Sequence, residues 1–381
     1  MQNFSINDKK YMARAIKLAE LGEGSASPNP MVGAIVVNAG EIVGEGYHKK
    51  YGGPHAEVIA LDEAGEKAKG AVLFVTLEPC SHYGKTPPCV NKIIESGIKR
   101  VEVAMVDPNP EVAGRGLEML REAGVKVKLG LFEEEAKKIN EVFLKYIQTD
   151  YPFIILKKAQ TLDGYIASSS GDSKWITNSE ARLEGHKLRH RSDAIMVGIG
   201  TILADNPSLT ARLEKKTGID PLRIVLDPLL EIPLEAKIIN QKSDADTLII
   251  TSEKFPPAKA AAAQKKKEKL LKKGKVKIMN FETDADNYFN LKEMLKTLHN
   301  QKISSILVEG GAKLSYTFLQ EDLIDKFYYF IAPKIYGGSD GIASFCGRGP
   351  EMMADSADIK IIEQRNLGDN ILLIGERKKQ Q

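Results

Sequence analysis

One histidine and two cysteines in the N-terminal half restrict the topologies open to this chain. His55 begins a helical pattern after Gly52-Gly53-Pro54, Cys80 follows the apolar strand pattern of 71–75, and Cys89 begins the next helical pattern. If these three side chains bind one metal ion, two helix starts and one strand end must converge. Helical and strand patterns alternate along the chain, so we predict an α/β architecture.

The residue types favour a catalytic zinc site. One histidine and two thiolates suit a tetrahedral Zn²⁺ and leave a fourth position for water. Glu57 follows His55 as in the H-x-E of zinc-dependent base deaminases, where the glutamate moves protons between the water and the leaving ammonia. Eight residues, 81–88, separate the two cysteines instead of the usual two. The alternative is a pair of buried thiols beside a core imidazole, but a chain with three cysteines in 381 residues favours the metal site.

Composition limits the class of protein. A length of 381 residues suggests two or three domains, each of about 100–200 residues. The formal net charge of +3 does not favour nucleic acid as the main partner. Sparse cysteine indicates a reducing compartment, and no run approaches the ~20 apolar residues of a membrane span. We therefore expect a cytoplasmic enzyme with no membrane partner, divided near Asp150 into domains 1–150 and 151–381.

Local patterns predict the elements of each half. In the first half we expect helices over 11–19, 55–64, 89–96, 116–122 and 133–147, and strands over 32–37, 41–47, 71–75, 100–106 and 125–129. In the second half we expect strands over 153–157, 194–197 and 304–308, the last followed by a helix to about Gln320. The Ala/Lys-rich segment 258–275 is typical of an exposed helix with solvated charge, and a nucleic-acid role is the less favoured alternative.

Two glycine turns of the second half could approach a phosphate. Glu309-Gly310-Gly311 and Gly198-Ile199-Gly200-Thr201 each follow an apolar strand, and a helix start supplies N–H donors. Each turn alone could equally be an ordinary tight turn. G-x-G-x-x-G is absent, so no Rossmann fingerprint is present.

Several longer segments resemble the bifunctional riboflavin-biosynthesis deaminase/reductases. In the first half these are 27–33, 52–57, 79–89, 107–110 and 112–116, and in the second half 161–164, 173–177, 200–212, 308–311 and 332–334. The resemblance implies a cytidine-deaminase-like α/β/α domain followed by a dihydrofolate-reductase-like α/β domain. It also implies Zn²⁺ and NADPH as cofactors, so the missing Rossmann fingerprint is no objection.

The resemblance also implies residue roles. Zn²⁺ would be held by His55, Cys80 and Cys89, with Glu57 as the catalytic residue. NADPH contacts would be Ala159, Trp175, Thr201, Asp205, Gly311, Ala312, Lys313, Leu314, Ser315, Tyr316 and Thr317. Substrate contacts would be Ser173, Arg189, Leu209, Arg212 and Glu309 in the second half, and Asn29, His48, His82 and Lys85 in the first. Two arginines and a serine suit a terminal phosphate.

Simpler interpretations of some of these side chains stay open. Arg189 could face solvent, and Trp175 could be a core residue. His186, His190 and His299 have no ligand spacing with a cysteine and are interpreted as structural, and Cys346 as a free thiol.

The implied activity has two steps. The first domain would hydrolyse the ring 2-amino group of 2,5-diamino-6-(5-phosphoribosylamino)pyrimidin-4(3H)-one. The second would reduce the ribosyl chain of 5-amino-6-(5-phosphoribosylamino)uracil to the ribityl form, with Asp205, Glu309 or water as the proton donor. We expect this phosphoribosylaminopyrimidine as the small-molecule partner, no nucleic acid, and a homo-oligomer.

Two rival interpretations remain at this point. One is a nucleic-acid base deaminase, such as a tRNA-editing enzyme, whose second half binds the nucleic acid; it predicts a basic face and salt-sensitive binding. The other is a zinc module in which the metal only stabilises the fold, so that the Glu57→Gln variant keeps every function.

Overall fold

The computed structural model describes residues 4–81, 87–109, 113–213 and 218–378. The chain forms two compact units, Met1–Asp150 and Tyr151–Gln381. Each unit contains a sheet flanked by helices, which confirms the predicted α/β class. Within the described residues, no helix is long and apolar enough to cross a membrane.

A five-stranded sheet in the order β2-β1-β3-β4-β5 organises the first unit. The strand β1 pairs antiparallel with β2 and β3, whereas β3, β4 and β5 are mutually parallel. The strands are β1 Gly33–Asn38, β2 Glu41–Tyr47, β3 Val72–Leu77, β4 Arg100–Met105 and β5 Lys126–Leu129. The helices are α1 Ile6–Ala19, α2 Ala56–Ala64, α3 Cys89–Glu95, α4 Arg115–Glu122, α5 Glu133–Ile139 and α6 Glu141–Gln148.

Glycines in β2 allow α2 to pack directly on the sheet. A Cβ atom added at Gly46 would collide with the backbone of Ala56 and Ala60, and one added at Gly44 would collide with the backbone of Ala60 and Ala64. Larger residues at these positions would push the helix away from the strand. His55 is the N-cap residue of α2, and its Nδ1 lies 3.6 Å from the Sγ of Cys80, which follows β3.

The single helix expected over 133–147 is wrong. The segment forms α5 and α6, separated at Asn140. The Asn140 side chain is buried, accepts from Met31 N at 2.8 Å and donates to Met31 O at 3.0 Å. Pairing this amide with the backbone of a distant segment interrupts the helix, and apolar periodicity carries no signal for such a long-range bond.

A nine-stranded sheet forms the second unit, in the order β11-β10-β9-β8-β12-β6-β13-β16-β15. The strands from β11 to β13 in this order are parallel, and β16 and β15 extend the sheet antiparallel. The strands of this sheet are β6 Phe153–Gln160, β8 Ala194–Gly198, β9 Leu222–Leu226, β10 Thr247–Ser252, β11 Val276–Phe281, β12 Ser305–Val308, β13 Lys326–Ile331, β15 Ile359–Leu367 and β16 Asn370–Arg377. A separate pair is formed by β7 Tyr165–Ala167 and β14 Ile342–Ala343.

Helices and the apolar strands enclose the core of this unit. The helices are α7 Ser179–Arg191, α8 Ile199–Asp205, α9 Lys237–Asn240, α10 Pro257–Leu271, α11 Leu291–Asn300 and α12 Ala312–Gln320. Residues of β6, β8, β12 and α11 contribute to one buried cluster. The Ala/Lys-rich segment forms the largely exposed helix α10, as predicted. The carboxyl ends of β6, β8 and β12 lie at one sheet edge, where α/β folds commonly bind ligands.

Candidate functional sites

The three predicted metal ligands meet in the first unit. His55 caps α2, Cys80 follows β3, and Cys89 is the first residue of α3. His55 Nδ1 lies 3.2 Å from Cys89 Sγ and 3.6 Å from Cys80 Sγ, and all three ligand atoms lie within 4.8 Å of one another. Ligands about 2.0–2.3 Å from a tetrahedral zinc ion are separated by about 3.5 Å, so the donor set fits Zn²⁺.

The two cysteine side chains shift each other's pKa in opposite directions. A hydrogen bond from Cys89 holds the pKa of Cys80 well below its usual range, and the same hydrogen bond raises the pKa of Cys89. The Cys89 N–H also donates to Cys80 Sγ at 3.3 Å. A lowered pKa favours the thiolate form of Cys80, and thiolate is the form that binds zinc.

Glu57 lies in the first turn of α2 and is almost completely buried, with 3% of its surface exposed. Burial raises the pKa of Glu57 to about 7. A carboxyl group with such a pKa can both accept and return a proton near neutrality. The residue that the sequence assigns to proton transfer thus has an environment that suits the task.

Two of the predicted pocket residues lie beside this cluster. The His48 ring packs edge-on against His55 with ring centres 5.6 Å apart. His48 Nδ1 donates to Pro54 O at 3.1 Å, and Asn29 Nδ2 donates to His48 Nε2 at 3.1 Å. Burial lowers the pKa of His48, which is consistent with a neutral imidazole. His82 and Lys85 lie outside the described residues.

Glu78 is a supporting residue that our sequence analysis did not identify. Its buried carboxylate accepts backbone N–H bonds from Asp107, Gly114, Gly116 and Leu117 at 2.9–3.4 Å. Glu78 lies two residues before Cys80, so the strand end that carries a metal ligand is tied to the segment after β4. The sequence feature that could have indicated this role is a glutamate directly after an apolar strand, where a charged residue is unusual.

The second unit contains a cavity of about 460 Å³ at the carboxyl edge of its parallel strands. All five predicted substrate contacts of this unit line it, as do five of the predicted cofactor contacts. These residues are Ser173, Arg189, Leu209, Arg212 and Glu309, and Ala159, Trp175, Thr201, Asp205 and Gly311. A volume of this size matches a small-molecule site.

Arg189 and Glu309 form an ion pair in this cavity. Arg189 Nε and Nη2 donate to the two carboxylate oxygens of Glu309 at 2.8 and 2.9 Å, and Lys157 Nζ lies 3.8 Å from the same carboxylate. Although burial opposes ionisation, the charges of Arg189 and Lys157 lower the pKa of Glu309 to about 2. The solvent-facing alternative for Arg189 is wrong, and Glu309 carries no proton that it could donate near neutrality.

A side chain of α8, Thr201, holds the glycine turn that follows β12. Gly311 N donates to Thr201 Oγ1 at 3.3 Å, and Gly310 has φ +95°, a conformation that favours glycine. Of the predicted contacts on α12, Ala312 to Thr317, none lines the cavity described above. Lys313, Tyr316 and Thr317 instead line a neighbouring groove of about 840 Å³.

Trp175 is on the surface, with 63% of its area exposed, so the alternative of a core residue is wrong. The Arg182 guanidinium lies 4.5 Å above the centre of its ring, and both side chains line the cavity. Such stacking gives the cavity wall a flat aromatic surface with a fixed positive charge on it.

His186 also lines the cavity, and it is not part of the metal cluster among the described residues. Its Nδ1 donates to Thr210 O at 3.1 Å, and burial together with the charges of Arg189 and Arg212 lowers its pKa to about 4. His190 and His299 do not line the cavity. Cys346 is an exposed free cysteine, as predicted.

Comparisons with known proteins cover both units. A family model described as the RibD C-terminal domain matches residues 152–373. A second model, described as the cytidine and deoxycytidylate deaminase zinc-binding region, matches residues 5–105.

Similar whole proteins include the riboflavin biosynthesis proteins RibD of Aquifex aeolicus (strain VF5) and Escherichia coli (strain K12). The first is 46% identical over 370 residues, covering 97% of this chain and 98% of that protein. The second is 40% identical over 379 residues, covering 97% of this chain and 99% of that protein.

Two solved structures are also similar. RibD of Acinetobacter baumannii, form 1, has a TM-score of 0.86 at 38% identity and covers 98% of this chain and 99% of that one. A diaminohydroxyphosphoribosylaminopyrimidine deaminase/5-amino-6-(5-phosphoribosylamino)uracil reductase from Thermotoga maritima has a TM-score of 0.82 at 37% identity and covers 97% of this chain and 98% of that one.

Proposed function

This chain belongs to the RibD family of riboflavin biosynthesis proteins, and from that membership we propose how its residues divide two reactions. The protein is a bifunctional enzyme with a zinc-binding deaminase domain and a reductase domain. We assign the deaminase to 1–150 and the reductase to 151–381. The rival interpretations, a nucleic-acid deaminase and a purely structural zinc module, have no comparable support.

The main support for this proposal is that His55, Cys80 and Cys89 converge next to the buried Glu57. These residues come from two helix starts and one strand end, so only the folded unit brings them together. Three protein ligands and one proton-transfer group are what a hydrolytic deaminase requires.

In the deaminase reaction, the ring 2-amino group of 2,5-diamino-6-(5-phosphoribosylamino)pyrimidin-4(3H)-one is replaced by oxygen from water. His55, Cys80 and Cys89 would hold Zn²⁺, which when bound supplies a Lewis acid that activates water. Glu57 takes the proton of the attacking water and returns it to the departing ammonia. Asn29 and His48 bind the pyrimidine, a role supported by their position beside His55.

In the reductase reaction, the ribosyl chain of 5-amino-6-(5-phosphoribosylamino)uracil becomes the ribityl form. The cofactor is NADPH, which when bound supplies the hydride. The residues that bind the cofactor are Ala159, Trp175, Thr201, Asp205 and the segment 311–317. This assignment is supported for the first four and for Gly311, because all five line the same cavity.

Substrate binding in the reductase uses Ser173, Arg189, Leu209, Arg212 and Glu309, which line the same cavity. Since Arg189 is paired with Glu309, Arg212 is the arginine whose charge serves the terminal phosphate. The pKa of about 2 leaves Glu309 without a proton, so Asp205 and water remain the candidate proton donors.

The remaining parts of the proposal concern the surroundings of the enzyme. We expect a homo-oligomer, which sedimentation analysis tests directly. We also expect a cytoplasmic location, because two of its three cysteines must stay reduced to bind metal. Nucleic acid is not a partner.

A paired assay tests both activities in one sample. Wild type receives the diaminopyrimidine phosphate and NADPH, and ammonia release and NADPH absorbance are followed together. The Glu57→Gln variant should release no ammonia and oxidise NADPH only when the deaminated uracil compound is supplied. Its zinc content should match that of wild type, because Glu57 is not a ligand.

Glu63→Gln is the matched control, since Glu63 lies exposed on the same helix. It should keep both signals. Full ammonia release by Glu57→Gln would contradict the assigned role of Glu57. Absence of NADPH oxidation with the uracil compound in wild type would contradict the reductase assignment.

A further inference from the structure

Lys158 is an unexpected residue in the middle of the second sheet. It lies on β6, which pairs with β12 on one side and β13 on the other. Only 2% of Lys158 is exposed. Lysine is rarely buried to this extent unless it has a partner for its charge.

The contacts of Lys158 do not include such a partner. Its Nζ donates to Gly310 O at 2.7 Å and lies 5.6 Å from the centre of the Phe345 ring. Within the part of the chain that the structure describes, no carboxylate forms an ion pair with Lys158. The neighbouring Lys157, by contrast, lies 3.8 Å from the Glu309 carboxylate.

The Gly310–Gly311 peptide is held at both of its polar atoms. Lys158 binds the Gly310 carbonyl, and Thr201 Oγ1 accepts from the Gly311 N–H at 3.3 Å. Lys158, Thr201 and both glycines line the cavity. The lysine therefore orients the turn and places a basic group on the cavity wall beside it.

The cavity as a whole favours an anion. Its lining contains five cationic side chains and two carboxylates among the described residues. Arg189 and Lys157 are close to one of those carboxylates, Glu309, and Arg182 lies on the Trp175 ring. Lys158 is thus a basic group at the glycine turn that no acidic residue neutralises.

We propose that Lys158 is a cofactor-binding residue that holds the Gly310–Gly311 turn and supplies a positive charge to the anionic dinucleotide. This inference rests on the proposed binding of NADPH in this cavity and adds a residue to it. The anionic cofactor provides the negative charge that Lys158 lacks among its protein contacts.

Charged and titratable groups around Lys158 give the proposal a pH signature. These are Lys157 on β6, Tyr329 opposite it on β13, Glu309 after β12 and Asp205 at the end of α8. Burial and the charge of Lys157 lower the pKa of Lys158 to about 7. NADPH should therefore bind with proton uptake, and its affinity should fall as pH rises through this value.

The test measures the NADPH dissociation constant of the full-length protein between pH 6 and 8.5 for wild type, Lys158→Met and Lys158→Gln. Removing a charge-assisted contact weakens binding about tenfold or more, so Lys158→Met should bind at least tenfold more weakly at pH 6. Both variants should lose the pH dependence that wild type shows near pH 7. The KM for NADPH should rise while kcat changes little.

Lys158→Gln keeps a hydrogen-bond donor without the charge, so it separates the two roles if Lys158→Met fails to fold. Lys259→Met, on the exposed helix α10, is the matched control and should resemble wild type. Wild-type affinity and pH dependence in a folded Lys158→Met or Lys158→Gln variant would overturn the inference alone. A wild-type protein that binds no NADPH at any pH would overturn the proposed reductase together with it.

Discussion

The ion pair between Arg189 and Glu309 offers a quantitative test of the second unit. Glu309→Gln keeps the shape of the side chain but removes its charge, leaving Arg189 and Lys157 close together without a counter-ion. The pKa of Glu309 falls from 4.5 to about 2 in the folded protein. At about 1.4 kcal/mol per pKa unit, the carboxylate stabilises the folded state by about 3 kcal/mol. This agrees with the cost of about 3–5 kcal/mol for breaking one partner of a buried pair.

Urea unfolding followed by tryptophan fluorescence measures this contribution. Trp175 is the only tryptophan in the chain and lies in the second unit, so its signal reports that unit. With a urea dependence of about 2–3 kcal/mol per molar, Glu309→Gln should lower the midpoint by about 1 M. Glu293→Gln, an exposed glutamate on α11, is the control and should leave the midpoint within about 0.2 M.

The contribution of Glu309 to the free energy of unfolding should depend on pH in a defined direction. A lowered carboxyl pKa stabilises the folded state fully above the unfolded value near 4.5, and the contribution is lost as pH falls through about 2. The stability difference between wild type and Glu309→Gln should therefore be constant near neutrality and shrink below pH 4.5. Equal midpoints at pH 7, or a difference that grows on acidification, would refute the account of this ion pair.

Three further predictions concern single residues. Cys89→Ala should lose its zinc, measured by elemental analysis, and release no ammonia, while NADPH-dependent reduction of the uracil compound persists; retained zinc would count against the ligand assignment. Glu78→Gln should lower the unfolding free energy of the first unit by about 2 kcal/mol, because one carboxylate accepts four backbone N–H groups, and an unchanged melting temperature would contradict this. His186, with its pKa lowered to about 4, should stabilise the fold above pH 6.5 and lose that contribution as pH falls towards 4. The acid-side loss of stability should therefore be smaller in His186→Gln, and an imidazole NMR titration with a midpoint near 6.5 would disprove the lowered pKa.

The metal cluster is predictable from the sequence because its residue types are specific to its chemistry. The pattern of His55, Glu57, Cys80 and Cys89 identifies the site even though the cysteine spacing departs from the general deaminase pattern. Strands β1 and β3 are also predictable, because each is a short apolar run. Local patterns reveal chemistry when few other roles suit the same residues.

Long-range pairings are not predictable in the same way. Arg189 and Glu309 are 120 residues apart, and periodicity along α7 gives no indication that the arginine leaves the solvent. The break at Asn140 depends on Met31, which lies 109 residues earlier. These contacts follow from the three-dimensional fold, so a local pattern cannot contain them.

Two adjacent lysines are a sequence signal that the apolar strand pattern does not account for. Lys157 and Lys158 interrupt an apolar strand pattern in a region that the sheet buries at its centre. Two adjacent lysines in a central strand are rare unless their charges are used.

The stoichiometry of the two reactions in wild type tests the central claim most directly. The purified protein receives a limiting amount of the diaminopyrimidine phosphate and an excess of NADPH, and ammonia and oxidised cofactor are counted at completion. A single enzyme that deaminates and then reduces predicts one ammonia for every NADPH oxidised, with a deaminated ribityl product by mass spectrometry. NADPH oxidation without ammonia, or a product that keeps its 2-amino group, would contradict the account.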